Sequence, residues 1–182
     1  VSDVANAILD GTDAIMLSEE TTLGGYPREA VRMMSRVAKE VEASYPEREI
    51  IHTPGKGKTD VTDSITGSVV KTAHDVGAKA IIALTHSGFT ARMISRHKPN
   101  MPIFSLSSDE KTLNQVCVSF GCVPLYNKDP KSVDDAFDMV KKLCLEKEIA
   151  KVGDKVVIVA GEHGKDEKNS PREANMILVE TI

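Results

Sequence analysis

Ala80-Ile81-Ile82-Ala83-Leu84-Thr85-His86-Ser87-Gly88-Phe89-Thr90 is the stretch on which the fold turns. Five consecutive apolar residues are too few for a buried helix, and they read as a strand covered on both faces. Polar residues around Gly88 break the run. From Phe89 the apolar positions recur at helical spacing as far as His97, and Pro99 stops the helix. A strand, a tight turn and a helix in that order form the repeating unit of an α/β protein.

The same alternation extends in both directions. Upstream, a helix from about Thr62 to Val76 closes at Gly77. Downstream, Ile103-Phe104-Ser105-Leu106 reads as a strand, Asp109 to Ser119 as a helix ended by Gly121, and Val123-Pro124-Leu125-Tyr126 as a short strand. Its proline places that strand near an edge. Ser132 to Lys147 is a long amphipathic helix with Val133, Ala136, Phe137, Val140, Leu143 and Cys144 inward; Asp134 and Asp135 suit its first turn. Val156–Val159 and Met176–Val179 are the last two strands, and with no helix between them they are expected to pair antiparallel. The expectation is a three-layer αβα domain with a mostly parallel five-stranded sheet and an antiparallel last strand.

The first 46 residues read differently. Ser2 to Leu9 is a helix ended by Gly11, and Ala14-Ile15-Met16-Leu17 is a short apolar run expected to be a buried strand. A loop with Gly24-Gly25 follows, and a helix from Pro27 to about Ser44 repeats Val31, Met34, Val37, Ala38 and Val41. Without an initiator Met or a secretory signal, the chain is expected to begin inside a helix, as a fragment would. Residues 47–60, with Pro54, Gly55, Gly57 and several lysines, read as a linker before a domain at 61–182.

Composition removes several function classes. The 182 residues are 41% hydrophobic, 27% charged and 4% aromatic, lack Trp, and carry a net charge of -4. No basic stretch offers a footprint for nucleic acid, and no apolar run approaches the roughly 20 residues needed to cross a bilayer. Cys117, Cys122 and Cys144 form an odd count without framework spacing, which suits reduced thiols in a cytoplasmic protein. His52, His74, His86, His97 and His163 lack metal-ligand spacing, so no metal site is expected within the chain.

The turn after the first quoted strand is the candidate site. Ligands of open α/β sheets bind where strands end and helices begin. A phosphate there meets free backbone N–H groups, with hydroxyls from Thr85, Ser87 and Thr90 and a close approach at Gly88. Each hydrogen bond to a charged oxygen contributes roughly 1.5–3 kcal/mol, so several suffice for micromolar binding. A plain strand-to-helix turn with a Ser or Thr N-cap fits the same residues. His86 either adds a pH-dependent contact or points into solvent.

The segment Ala83 to Ala91 resembles the effector phosphate loop of pyruvate kinases, a T-x-S-G-x-[ST]-A pattern. Ser2–Ala7, Asp10–Ser18, Glu20-Thr21, Tyr26-Pro27 and Glu29-Ala30-Val31 resemble the end of that family's catalytic barrel. The resemblance spans essentially the whole chain. It implies that residues 1–46 are the last helix-strand-helix of a TIM-type barrel and 61–182 the C-terminal effector domain. The implied activity is phosphoryl transfer between phosphoenolpyruvate and ADP in glycolysis, with Mg²⁺ and K⁺, in a homo-oligomer, commonly a tetramer. The family's catalytic lysine, metal-binding carboxylates, phosphoryl-binding arginine and proton-donor threonine all precede the matching segment, so the piece alone is expected to be inactive.

Ser18, Glu20 and Thr21 follow the last barrel strand and fall on the family's catalytic face, where they either line the cleft or hold the loop by local hydrogen bonds. Glu19 stands where the family usually has Gly. The effector implied by the Thr85, His86, Ser87, Gly88, Phe89 and Thr90 loop is a phosphorylated sugar or nucleotide monophosphate. A second phosphate, as in fructose bisphosphate, is held in some members by a C-terminal loop. Here that stretch, 161–173, is long and charged: Lys165, Lys168 and Arg172 are offset by Glu162, Asp166, Glu167 and Glu173. Two other readings stand beside the leading one. One is a stand-alone binding module derived from the effector domain; the other is a small phosphatase using Ser87 or Thr85, for which no base stands at a convincing spacing.

Overall fold

The computed structural model describes residues 1–44, 61–161 and 174–182. The predicted linker at 47–60 lies outside the described residues. The chain divides into two units, Val1–Arg48 and Glu49–Ile182.

In the second unit, five strands form one sheet: β1 (Ala80–Leu84), β2 (Ile103–Ser107), β3 (Cys122–Tyr126), β4 (Lys155–Ala160) and β5 (Met176–Thr181), in the order β3-β2-β1-β4-β5. The first four run parallel and β5 is antiparallel to β4, with Val157 opposite Val179. Alternation along β1 feeds two cores. Ile81 and Ala83 face one side, with Val157 and Val159; Ala80 and Ile82 face the other, with Val156 and Ile158. Both faces are therefore apolar, as a parallel sheet between helical layers requires.

Chain order gives α1 (Ser2–Leu9), α2 (Glu19–Thr22), α3 (Pro27–Ala43), α4 (Val61–Asp75), α5 (Phe89–Ser95), α6 (Glu110–Val116) and α7 (Val133–Glu146). Helices α4, α5 and α6 cover the first face through Val69, Ala73, Ile94 and Val116; α7 covers the second through Val140 and Cys144. Burying each large aliphatic side chain here contributes roughly 1.5–3 kcal/mol. Gly77 takes φ +65 to end α4, a left-handed conformation that a side chain disfavours. The Pro124 strand is indeed an edge. Asn127 N–H donates to Ser107 O at 3.0 Å, and the two-residue alternation of a strand then turns the Pro124 nitrogen away from β2.

The first unit holds α1, α2 and α3. Met34, Val37, Ala38 and Val41 are half-buried along α3, whereas Val31 is exposed. Pro27 occupies the first turn of α3, as its fixed φ favours. Two expectations fail in this unit, and in the second unit Val133 of α7, expected inward, is exposed at the first turn of its helix. Ala14–Leu17 is not a strand: the described neighbours in this unit are all helices, so no ladder is available to pair it, and Met16 is 87% exposed. The 18–26 loop also contains a short helix, α2.

Candidate functional site

The strand order reverses at β1: the chain leaves it for β2 and β3 on one side and returns to β4 on the other. In open α/β sheets that switch point opens a crevice beyond the carboxyl ends of the two strands. The Thr85–Thr90 turn leaves β1 at this end, so topology places the quoted motif where a ligand can be received.

Local geometry follows from a few contacts. Thr85 N–H extends the ladder to Leu106 O at 3.0 Å. Gly88 then adopts φ +73 and begins α5. A Cβ at Gly88 would meet Val116 Cγ1 at 2.6 Å and Arg92 Nη1 at 3.1 Å, so both the backbone and the space demand glycine. The carbonyls of the turn are engaged from behind. His86 O accepts from Thr112 Oγ1 at 2.9 Å and, at the limit of a hydrogen bond, from Ser107 Oγ at 3.5 Å. Ser87 O accepts from Arg92 Nη1 at 3.2 Å, and Gly88 O from Arg92 N–H at 3.0 Å.

The remaining donors of the turn find no acceptor among the described residues. Among the described residues, the N–H groups of His86, Ser87, Gly88, Phe89 and Thr90 donate to nothing, and neither do the hydroxyls of Thr85, Ser87 and Thr90. Thr85 and Thr90 are 9% and 5% exposed, yet neither hydroxyl is among the buried atoms without a partner, so each keeps its oxygen at the surface of the turn. The six predicted residues thus come together as a group of open donors. His86 and Ser87 are exposed, and Phe89 contributes its N–H while its ring is partly in solvent. A Ser or Thr N-cap for α5 is not found: Gly88 holds that position and no side chain caps the helix. By contrast, Asp109 caps α6 and Ser132 caps α7.

Sequence reasoning missed Arg92, Ser107 and Thr112. The Asp109/Thr112 spacing signals a cap, but that Thr112 also reaches His86 is a product of packing between neighbouring turns. Asp109 is held below the ordinary carboxylate pKa, first by the Thr112 hydroxyl, then by the N–H groups of Thr112 and Lys111, with a smaller contribution from His86.

Ser18, Glu20 and Thr21 also come together, chiefly with one another. Ser18 N–H donates to Glu20 Oε2 at 2.9 Å, and Thr21 Oγ1 donates to Ser18 O at 3.1 Å. Backbone donors hold the Glu20 carboxyl below its usual pKa. Lys165, Lys168 and Arg172, the expected second effector loop, lie outside the described residues, as do His52 and His163. Among the described residues no group of three or more His, Cys, Asp or Glu is placed to hold a metal ion, and no helix is long and apolar enough to cross a membrane.

Comparison with known proteins identifies the family of the fold. The model of "Pyruvate kinase, alpha/beta domain" matches residues 63–179, and that of "Pyruvate kinase, barrel domain" matches residues 1–31. The chain is 41% identical over 161 residues to a pyruvate kinase of Lactococcus lactis, covering 88% of this chain and 32% of that protein. It is 38% identical over 163 residues to one from Clostridium perfringens, covering 88% and 34%. The crystal structure of a pyruvate kinase from Cryptosporidium parvum superposes with a TM-score of 0.86 at 30% identity, over 99% of this chain and 35% of that one. The chain therefore spans about a third of the length of the relatives it matches.

Proposed function

This chain belongs to the pyruvate kinase family, and from that premise we propose that it supplies the end of the barrel (1–46) and the regulatory domain (61–182) of a cytoplasmic enzyme making pyruvate and ATP from phosphoenolpyruvate and ADP. Its own task is to bind a phosphorylated metabolite at the Thr85–Thr90 turn and to bias the intact homo-oligomer toward its active arrangement. The reaction belongs to the remainder of the catalytic chain, which carries the lysine, carboxylates, arginine and threonine of the family. Mg²⁺ and K⁺, which the family uses, are assigned by this reading to that part as well.

The observation that carries the reading is the set of open donors: five consecutive N–H groups and three hydroxyls without acceptors among the described residues. A phosphoryl group is the ligand that uses many donors at once, through several acceptor oxygens and a dianionic charge. Ser18, Glu20 and Thr21 complete a loop at the mouth of the parent's cleft, with Glu20 held in place by Ser18.

A monophosphate is favoured over a bisphosphate, because the sequence of 161–173 offsets its three cations with four carboxylates. Calorimetry with ribose 5-phosphate, AMP and fructose 1,6-bisphosphate tests this. Micromolar binding of a monophosphate is expected, and far tighter binding of the bisphosphate overturns the preference. If none of the three binds, the regulatory reading fails. Phosphoenolpyruvate turnover by the purified chain above background would refute the division of labour between this segment and the rest of the enzyme.

A further inference from the structure

We infer that Thr112, on helix α6, is a positioning residue for the phosphoryl group at the β1–α5 turn: it sets the peptide planes that aim the donors, and it links the bound group to α6. The inference rests on the phosphate reading above.

A trans peptide holds C=O of one residue antiparallel to N–H of the next. Fixing a carbonyl therefore fixes the direction of the following N–H. Three consecutive carbonyls, those of His86, Ser87 and Gly88, are tied back to the protein at 2.9, 3.2 and 3.0 Å. The N–H groups that follow them, on Ser87, Gly88 and Phe89, are three of the five without acceptors among the described residues. The turn is a surface whose acceptors face inward and whose donors face outward.

The three ties differ in origin. The Gly88 carbonyl is held by the helix ladder, which any helix would supply. The Ser87 carbonyl is held by Arg92 of the same helix. The His86 carbonyl is held from a different element, by a hydroxyl on a residue only 4% exposed. Without Thr112, the His86–Ser87 peptide keeps only the 3.5 Å contact from Ser107 and is free to rotate its N–H out of register.

Thr112 is itself placed by Asp109, whose Oδ2 lies 2.8 Å from the hydroxyl and 3.1 Å from the Thr112 N–H. One hydroxyl proton thus stands between two acceptors, the His86 carbonyl and the Asp109 carboxylate. An anion that accepts from Ser87 N–H polarises the same peptide and strengthens His86 O as an acceptor. The proton is then drawn toward His86 and away from Asp109, so the cap of α6 registers that the turn is occupied.

The test uses the chain as it stands, with ribose 5-phosphate as the probe. Calorimetry is run on the wild type, Thr112→Val and Thr112→Ser, with thermal melts as a check on folding. Thr112→Val is expected to bind roughly five- to tenfold more weakly and Thr112→Ser within roughly twofold of wild type. If the wild type binds and Thr112→Val binds equally well, the positioning role is wrong while the phosphate site stands. If the wild type does not bind, the site reading itself fails and takes this inference with it. Should Thr112→Val not fold, backbone amide shifts of the wild type decide: Asp109 to Leu113 must move together with Ser87 to Phe89 on titration, and silence in α6 overturns the proposal.

Discussion

A Cβ on Gly88 would stand 2.6 Å from Val116 Cγ1, so the turn after β1 and the last turn of α6 meet across a missing side chain. Any residue larger than glycine must push the helix away or distort the turn, and must also adopt φ +73. Gly88→Ala should cost about 1–3 kcal/mol in urea unfolding. Adding Val116→Ala should recover part of the steric share and none of the backbone share, so the double-mutant cycle should show a coupling. Additive effects would mean that the two residues do not touch in solution.

Ser87→Ala and Thr90→Ala each remove one open hydroxyl and leave the sheet untouched. Affinity for ribose 5-phosphate should fall by roughly tenfold for each, the scale of a hydrogen bond to a charged group. Far-UV circular dichroism should be unchanged. If calorimetry finds both variants binding like wild type, the turn is only a connection between β1 and α5.

Asp109 gives an acid-dependent signature. Its native pKa is depressed, so its contribution to stability is complete above the ordinary carboxylate value of about 3.9 and is lost as pH falls through the lower native value. Asp109→Asn keeps an acceptor at the α6 cap without the titration. Urea midpoints measured from about pH 6 down to about pH 3 should fall more steeply for wild type than for the variant. Parallel curves would show that the Thr112 contacts do not act on this carboxylate.

The three thiols should divide by reactivity. Burial pushes the Cys144 thiol up to about 11, and the side chain is fully enclosed on the inner face of α7. Cys117 is exposed. A disulfide reagent at neutral pH should therefore label Cys117 first and Cys144 only on unfolding, as mass spectrometry of the labelled peptides would show. Early labelling of Cys144 would mean that the α7 face opens in the native state.

Regular periodicity made most of the second unit readable. The apolar run 80–84 gave β1 with its bounds, and the same reasoning reached α1, the αβα layers and the antiparallel pairing of β5. That Thr85–Gly88 form a tight connection from β1 to α5 was readable for the same reason, since a strand, a glycine and a helix start are local features. What escaped was non-local. Thr112 lies 26 positions from His86, and only the packing of two successive turns brings them together. Ala14–Leu17 failed in the opposite way: its composition suits a strand, but a strand exists only beside another.

Pro124 places a gap in the outer row of donors on β3, because its nitrogen carries no hydrogen and faces away from β2. A strand arriving from another molecule would find its central anchoring point absent there. The sheet is thereby guarded on that flank against growing by accretion, a protection written into one residue rather than into a covering element.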